Sequence, residues 1–444
     1  MNVLGPAETS VASPVLIPGG RLISVKRGFG WTLAGYAVYM LCQWAMMVVL
    51  ARLGSPDFRE VALFALAIAA TTPIILFSNL GLRRVYATDA NSEFSFADYF
   101  KLRMATNVAA LALITGVAVA LGYPAAIVGT IVAMGTAKVI ESTSDILHGY
   151  FQHRGRIDLG ARATMMRGVL SLAGFLAVFL ATGSVIGAIA GMAAGWTAVL
   201  VFYERTWALR LLRASPPARR VSGPARNWMH LAHLALPLGI VALVTSLKAS
   251  IPMFVIETGM GLTALGLFAA LIYFLHASNR VVSAMGEAAA SRLSSLFKSG
   301  DERGTLALTA RMLGVALLVS GAGIGVAVAV GGPLLRLFYG APFAGLGGLL
   351  VAIMAATCVA NLQTVLDYAM VATGRFRIQP YLYGGGALLL LILCVAFVPA
   401  KGLEGAALSL GIVSGVELLG SASVVGWSLL RLRSLNTPAL QEAR

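Results

Sequence analysis

Charge is scarce in this sequence. Asp, Glu, Lys and Arg make up 11% of its 444 residues, where a soluble domain carries about a quarter. Hydrophobic residues make up 58% and the mean hydropathy is +0.85. No water-soluble fold of this length could bury so much apolar surface, so a soluble enzyme or binding domain is excluded. Cysteine is almost absent: Cys42, Cys358 and Cys394 all lie in apolar runs, with no CxxC pair, and neither a disulfide nor a thiolate metal site is expected. The five histidines (148, 153, 230, 233 and 276) fall near the ends of apolar runs without metal-like clustering; His230 and His233 share a helix-entry face, where an interfacial role is expected. No GxxxxGK[ST] phosphate loop appears, which excludes ATP hydrolysis by this chain. No metal and no cofactor are expected. The first residues lack the basic-then-apolar order of a signal peptide; with Pro6, Pro14, Pro18 and Gly19-Gly20, residues 1–28 read as a flexible tail.

What is present is a series of apolar runs, each about long enough to cross a bilayer as a helix. Residues 29–50 hold no charge, and 61–82 follow after a short polar break. The uncharged run 104–137 is too long for one crossing and is divided by Gly122-Tyr123-Pro124, since proline cannot continue a helix and glycine turns cheaply. The run 168–203 divides at residues 181–184. Later spans fall near 234–256, 262–284, 311–332, 343–366, 381–400 and 403–430. The expectation is an all-α polytopic membrane protein of twelve helices.

On this map 26 of the 33 Lys and Arg fall on the side that holds both chain ends. The opposite side holds Arg52, Arg59, Arg336 and Lys401, and Lys138, Lys248 and Arg280 fall inside spans. The positive-inside rule then places both termini in the cytoplasm, and the net charge of +15 reflects this asymmetry and attraction to anionic lipid heads, not nucleic-acid binding. Loops on the opposite side are short, the longest being around 332–343. A membrane glycosyltransferase, ligase or polymerase usually needs a sizeable outer loop carrying acids, His or Arg, and none is found.

The chain also repeats itself. A Pro-, Arg- and Ser-rich stretch (210–228) separates two groups of six helices, giving an N-lobe at 29–206, a basic linker at 207–233, a C-lobe at 234–430 and a tail at 431–444. Gly155-Arg156 after the fourth helix matches Gly374-Arg375 after the tenth. The segment at 184–191 opens the sixth helix as 402–409 opens the twelfth. Matches in order at nearly constant offset indicate duplication. Two six-helix halves entering from the same side are related by an axis along the membrane normal, as in parallel-repeat transporters, where substrate sits between the halves.

Ionisable groups at mid-bilayer cost at least about 2.5–3.5 kcal/mol and therefore face a partner or water. On the fourth helix Lys138, Glu141 and Asp145 are spaced i, i+3, i+7 and share one face, with Ser142, Gly149 and Gln152 extending the stripe. The stripe either lines a wet cavity or holds a Lys138–Glu141 pair that only stabilises packing. Lys248 lies at central depth between Pro237 and Pro252, beside Thr245, Ser246 and Ser250, within reach of Glu417 on the twelfth helix. Arg280 follows Asn279 near the inner end of the eighth helix, where it either lines the cavity or snorkels. Asp367, Asn361 and Gln363 make a polar inner end to the tenth helix. Thr71-Thr72-Pro73 is expected to kink the second, with the two hydroxyls satisfying freed carbonyls.

Four stretches, FSNLGLRRVYATD (77–89), LLRLFYGAPFAGLGGLLVAIMAA (334–356), YAMVATGRFRIQ (368–379) and GLEGAALSLGIVSGVELL (402–419), resemble bacterial polysaccharide-export flippases of the multidrug/oligosaccharidyl-lipid/polysaccharide superfamily. The resemblance implies two six-helix lobes around a cavity that alternates between the two sides of a bacterial inner membrane. It also implies movement of undecaprenyl-diphosphate-linked oligosaccharide from the cytoplasmic to the periplasmic leaflet, and possible partnership with a polysaccharide polymerase. On the cavity argument Lys138, Lys248 and Arg280 are the positions for the anion, and Glu141, Asp145, Asp367 and Glu417 are candidates for proton or sodium coupling. The related peptidoglycan-precursor flippases place arginines in the first helix; this chain has only Gln43 within it and Arg52 at its outer end, which counts against lipid II. The rival readings are a cationic-drug exporter of the same fold, a membrane glycosyltransferase or ligase, and a non-transporting scaffold. The first three spans hold no acid, which counts against the exporter.

Overall fold

The structure, a computed structural model, describes residues 25–88, 94–214, 227–375 and 378–435. Most of the expected N-terminal tail, the middle of the expected linker and the end of the C-terminal tail lie outside the described residues. The chain is helical almost throughout: α1 (Val25–Leu53), α2 (Arg59–Ser78), a short α3 (Leu82–Thr88), α4 (Phe96–Ala120), α5 (Ala125–His153), α6 (Ile157–Thr182) and α7 (Val185–Ala198). A π-helical turn, Val199–Glu204, carries α7 into α8 (Arg205–Arg213). Then come α9 (Asn227–Lys298), α10 (Glu302–Tyr339), α11 (Gly347–Ala372), α12 (Gln379–Lys401) and α13 (Leu403–Leu435).

The breaks follow from residue chemistry. Gly122 (φ 71°) and Pro124 separate α4 from α5, and Gly183 (φ 64°) ends α6 before the Ser184 hydroxyl caps the Gly187 N–H at 3.2 Å. α4 opens on a capping box, with Ser95 and Asp98 each accepting from the other's backbone N–H. α9 spans 72 residues, about 108 Å if straight, far more than a bilayer needs. Gly261 (φ 84°) breaks it into two crossings, since only glycine enters that backbone region freely. Eleven stretches are long and apolar enough to span a membrane; with α9 counted as two, the described residues make twelve crossings.

Two expectations about boundaries need correction. Residues 332–339 are the last turns of α10, not a loop, and the connection to α11 is Gly340 with a 3₁₀ turn at Ala341–Leu346. Pro333 is accommodated by a kink at Val330 (φ −136°). Several helices also run past their apolar runs toward the basic side; α10 begins at Glu302, nine residues before the expected span. A charged residue ends an apolar run but not a helix, so hydropathy underestimates length.

The twelve crossings form two six-helix lobes. In the first, α1 lies along α6, α6 along α7, and α5 against α2, α4 and α7. In the second, α11 packs on α9, α10 and α13, and α12 on α9 and α13. α6 and α7 approach so closely at Gly174 and Gly191 that a Cβ on either would sit 2.3 Å from the other's carbonyl oxygen. Small residues allow this contact where no hydrophobic force drives helices together. The lobes meet chiefly where α2 lies along α9. Pro73 cannot donate to the Ala69 carbonyl, and Ser250 of α9 does so instead, at 2.9 Å. Thr71 and Thr72 donate two and one residues earlier, to Ala67 and Ile68. The freed carbonyl is therefore satisfied across the lobe boundary and not by the neighbouring threonines.

Candidate functional site

Within the first lobe, α5 carries the polar stripe. Lys138 lies 13 residues, about 20 Å, from the α5 end at Ala125. Its ammonium donates to Glu141 at 2.8 Å, and their side chains are 20% and 27% exposed. Tyr39 of α1 donates to the other Glu141 oxygen at 3.1 Å and accepts from Gln43 at 2.8 Å. Lys138 also lies 5.8 Å from the Trp196 ring. Asp145, two turns further on, pairs with Arg83 of α3 at 3.3 Å and Arg103 of α4 at 3.4 Å. The stripe thus shares one partly open face, but Glu141 answers Lys138 while Asp145 answers two arginines.

Behind the stripe lie groups that hydropathy did not mark as interior. Arg103 is fully buried and donates to Asn79 and Ser142 as well as Asp145. Arg167 of α6 is buried with its guanidinium 5.5 Å from the Tyr39 ring, and its Nε and Nη1 have no hydrogen-bond partner. Glu204, in the π-helical turn, is fully buried and accepts from Ser144 at 2.6 Å, with His148 Nε2 at 2.9 Å. His148, expected only to lie near a helix end, is therefore an interior residue. On and behind the stripe, four cations (Arg83, Arg103, Lys138, Arg167) face three carboxylates (Glu141, Asp145, Glu204), while the start of α6 holds a separate Arg156–Asp158 pair at 2.9 Å.

The second lobe has the opposite balance. Lys248 donates to both oxygens of the fully buried Glu417 and lies 5.2 Å from the Tyr383 ring. Room for the Glu417 carboxylate depends on Gly386, where a Cβ would overlap it. Asp367 accepts from Tyr383 at 2.6 Å, Gln363 at 2.9 Å and Ser421 at 3.0 Å, all neutral donors. One cation here faces two carboxylates. Asn361 does not join Asp367; it donates to Ser278 and Ser320, each at 2.9 Å. Arg280 is exposed and forms no ion pair among the described residues.

The hydrogen bonds joining the lobes among the described residues gather toward the side away from the basic loops. Arg52 at the end of α1 donates to the Phe338 carbonyl at 2.9 Å, to Arg336 at 3.0 Å and to Leu337, covering the last carbonyls of α10. Trp44 donates to Tyr339 at 2.8 Å, and Tyr339 to the Ala270 carbonyl at 3.0 Å. Phe58 meets Phe343 edge-on at 4.8 Å, and Tyr123 donates to Glu257 at 3.3 Å. Toward the basic side the described contact between lobes is the start of α9, where Leu231 and Ala235 pack with Leu80, Leu82 and Tyr86.

Sequence reasoning missed Arg83, Arg103, Arg167 and Glu204. Arg103 and Arg167 were assigned to loops because each lies within about ten residues of its helix's basic-side end. At 1.5 Å per residue, Arg167 is nevertheless about 15 Å inside α6. The signal that could have found it is its position ten residues into a helix beginning at Ile157, too deep for easy snorkelling.

No protein-family model matches the chain. A curated relative, the capsular polysaccharide biosynthesis protein CapF of Staphylococcus aureus, is 21% identical over 397 residues, 88% of this chain and 97% of the relative. Among solved structures, the inward-facing conformation of a multidrug resistance MATE family transporter of the MOP superfamily covers 91% of this chain and 100% of its own at 13% identity, with a TM-score of 0.74. The chain has the fold of MATE transporters of the MOP superfamily. An outward-facing conformation of a multidrug resistance MATE transporter gives 0.66 at 14% identity, covering 92% and 96% of the two chains. A MOP superfamily transporter of Pyrococcus furiosus, described as having a binding pocket of reverse polarity, gives 0.65 at 15% identity, covering 93% and 97%. The MATE fold and the spans make this a multi-pass membrane protein with two lobes of six helices.

Proposed function

We propose that this protein is a flippase that moves undecaprenyl-diphosphate-linked oligosaccharide repeat units from the cytoplasmic to the periplasmic leaflet of a bacterial inner membrane, for exopolysaccharide, capsule or O-antigen synthesis. The observation that carries the reading is the polarity of the α5 stripe and the groups behind it: four cations against three carboxylates, with the stripe partly open. That interior suits an anionic cargo and opposes a cationic drug. The relative named for capsular polysaccharide biosynthesis, aligned over nearly its full length, supports the same cargo class. Transport makes and breaks no covalent bond, so no catalytic residue and no cofactor is assigned.

In this reading the basic side is cytoplasmic, and both chain ends lie there. The contacts of Arg52, Trp44, Phe58 and Tyr123 close the periplasmic side, so the cavity opens inward. The higher likeness to the inward-facing MATE structure accords with this state. Lys138, Lys248 and Arg280 are assigned to the cargo anion, with Glu141 and Glu417 as carboxylates that must release the two lysines when cargo arrives. Asp367, held by neutral donors alone, joins Glu141, Asp145 and Glu417 as a site for proton or sodium coupling. About two negative charges moving outward across an inside-negative membrane gain roughly 2.3 kcal/mol per charge per 100 mV, so the potential favours export. A polysaccharide polymerase is the natural partner for the flipped product.

The test is a strain lacking this gene, with extracted lipids analysed by mass. Diphosphate-linked repeat units trapped on the inner leaflet, without surface polymer, are the expected result and identify the sugar. Normal lipid intermediates with raised sensitivity to cationic dyes would instead establish an ion-coupled multidrug exporter; two of the similar structures are described as multidrug resistance MATE family transporters.

A further inference from the structure

A cavity of about 30 Å³ lies inside the first lobe at its basic-side end, lined by Thr32 and Tyr36 of α1, Arg83 of α3, His148 and Gln152 of α5, and Thr164 of α6. A single water needs about 10–15 Å³ on this measure, so the space admits two or three water-sized groups. That is the size of one phosphoryl group and too small for a sugar ring.

One wall depends on a glycine. At Gly149 a Cβ would stand 3.2 Å from the Arg83 carbonyl oxygen and 3.3 Å from its Cγ, so the missing side chain lets α3 press Arg83 against α5. At Gly160 the nearest atom to such a Cβ would be His148 Cγ at 3.5 Å, so His148 packs against α6 at ordinary contact distance. Asn79 and Ser142 hold Arg103 just behind.

The charge around this space is unbalanced. Arg83 and Arg103 share one carboxylate, Asp145, at 3.3 and 3.4 Å. Arg103 keeps one buried N–H without a partner, and Arg167, one turn beyond Thr164, keeps two. The carboxylate of Glu204 is already bonded to His148 and Ser144, and no carboxylate lines the cavity. Buried guanidinium N–H groups without acceptors are costly, and of the lining groups the Tyr36 hydroxyl, the Gln152 amide and the Arg83 guanidinium can donate to whatever enters, while the Thr164 hydroxyl already donates to the Gly160 carbonyl at 2.9 Å. By contrast Lys138 and Lys248, the mid-depth cations, are each already bonded to a carboxylate.

We propose that this cavity is a subsite for a phosphoryl group, which an incoming diphosphate occupies from the basic side before reaching Lys138 and Lys248. Arg83 makes the bidentate contact that suits phosphate geometry, while Tyr36 and Gln152 donate from the sides. The anion chemistry follows from the cavity itself; the identity of the carrier as a lipid-linked diphosphate rests on the flippase reading above.

The full-length protein is purified in detergent and titrated calorimetrically with two probes, inorganic pyrophosphate and farnesyl diphosphate. Pyrophosphate is expected to bind the wild type, and Arg83→Gln to weaken it at least tenfold. Because Arg83→Gln also disturbs Asp145, Gln152→Leu and Tyr36→Phe, which break no ion pair, serve as second variants and are each expected to weaken binding several-fold. Lys401→Gln, at the opposite side, should leave the affinity unchanged. No pyrophosphate binding by the wild type, or equal affinity in Arg83→Gln and Gln152→Leu, would overturn the subsite. If farnesyl diphosphate binds at least tenfold tighter than pyrophosphate and loses that binding in the same variants, the lipid-linked source is supported. Equal affinity for both probes, lost in the same variants, keeps the phosphoryl subsite and removes its support for a lipid carrier.

Discussion

Replacing Lys248 by methionine tests whether the second-lobe pair is structural, functional or both. Glu417 is fully buried, and Lys248 donates to both of its oxygens. Removing the ammonium leaves a carboxylate with no cation in contact, since Asp367, the other nearby charge, is also an acid. Breaking a buried pair by deleting one partner costs about 3–5 kcal/mol, whereas replacing both partners by neutral groups is often close to neutral. Lys248→Met alone should therefore lower the melting temperature of the purified protein by several degrees. Lys248→Met with Glu417→Gln should recover most of that loss. Glu417→Gln alone should be milder, because Lys248 remains 20% exposed beside the Tyr383 ring. The decisive readout is surface polymer, measured beside membrane-protein abundance. If the pair serves transport, the double variant is folded and abundant but exports nothing. If Lys248→Met melts with the wild type, the energetic argument fails; if the double variant exports normally, Lys248 and Glu417 have no part in the mechanism.

Three further outcomes follow from the geometry. Arg52→Ala removes a guanidinium from the last carbonyls of α10, worth about 1 kcal/mol, and should shift the balance about fivefold toward an outward-open state; spin-label distances across the far side should lengthen, and an unchanged distribution would show that Arg52 is not part of the closure. Gly386→Ala places a Cβ where the Glu417 carboxylate sits, so it should mimic loss of the Lys248–Glu417 pair in both melting temperature and export, while Gly384→Ala, which meets open space, should be silent. Glu141→Gln and Asp145→Asn should each slow export without changing the glycan exported; wild-type rates in both would make the stripe purely structural.

The parts of the fold that were legible in the sequence are those set by local chemistry. Gly122-Tyr123-Pro124, the break at residues 181–184 and the separation of 256 from 262 all fall where the helices end, because proline and positive-φ glycine act without help from distant residues. The shared face of Lys138, Glu141 and Asp145 was legible for the same reason: helical periodicity fixes it. What was not legible is which cation meets which acid. Asp145 was left without a partner in the sequence because its arginines come from α3 and α4, 62 and 42 residues away, and no spacing rule links them. Arg167 was hidden by an assumption about depth, that a basic residue near a span's end belongs to the surface.

These hidden residues change how the site works. With Lys138, Lys248 and Arg280 alone, cargo would meet three free cations near mid-membrane. The structure instead gives two lysines already held by carboxylates and one exposed arginine, while the unsatisfied positive groups lie in the first lobe nearer the basic side. An anion entering from that side meets Arg83 and the N–H groups around it first. In the proposed reading it competes with Glu141 for Lys138 and with Glu417 for Lys248. Each displaced carboxylate then needs a proton or a cation, since neither has a second cation within salt-bridge distance among the described residues. In the proposed reading, cargo movement and carboxylate neutralisation would be linked through the same two ion pairs, the kind of link an ion-coupled flippase requires.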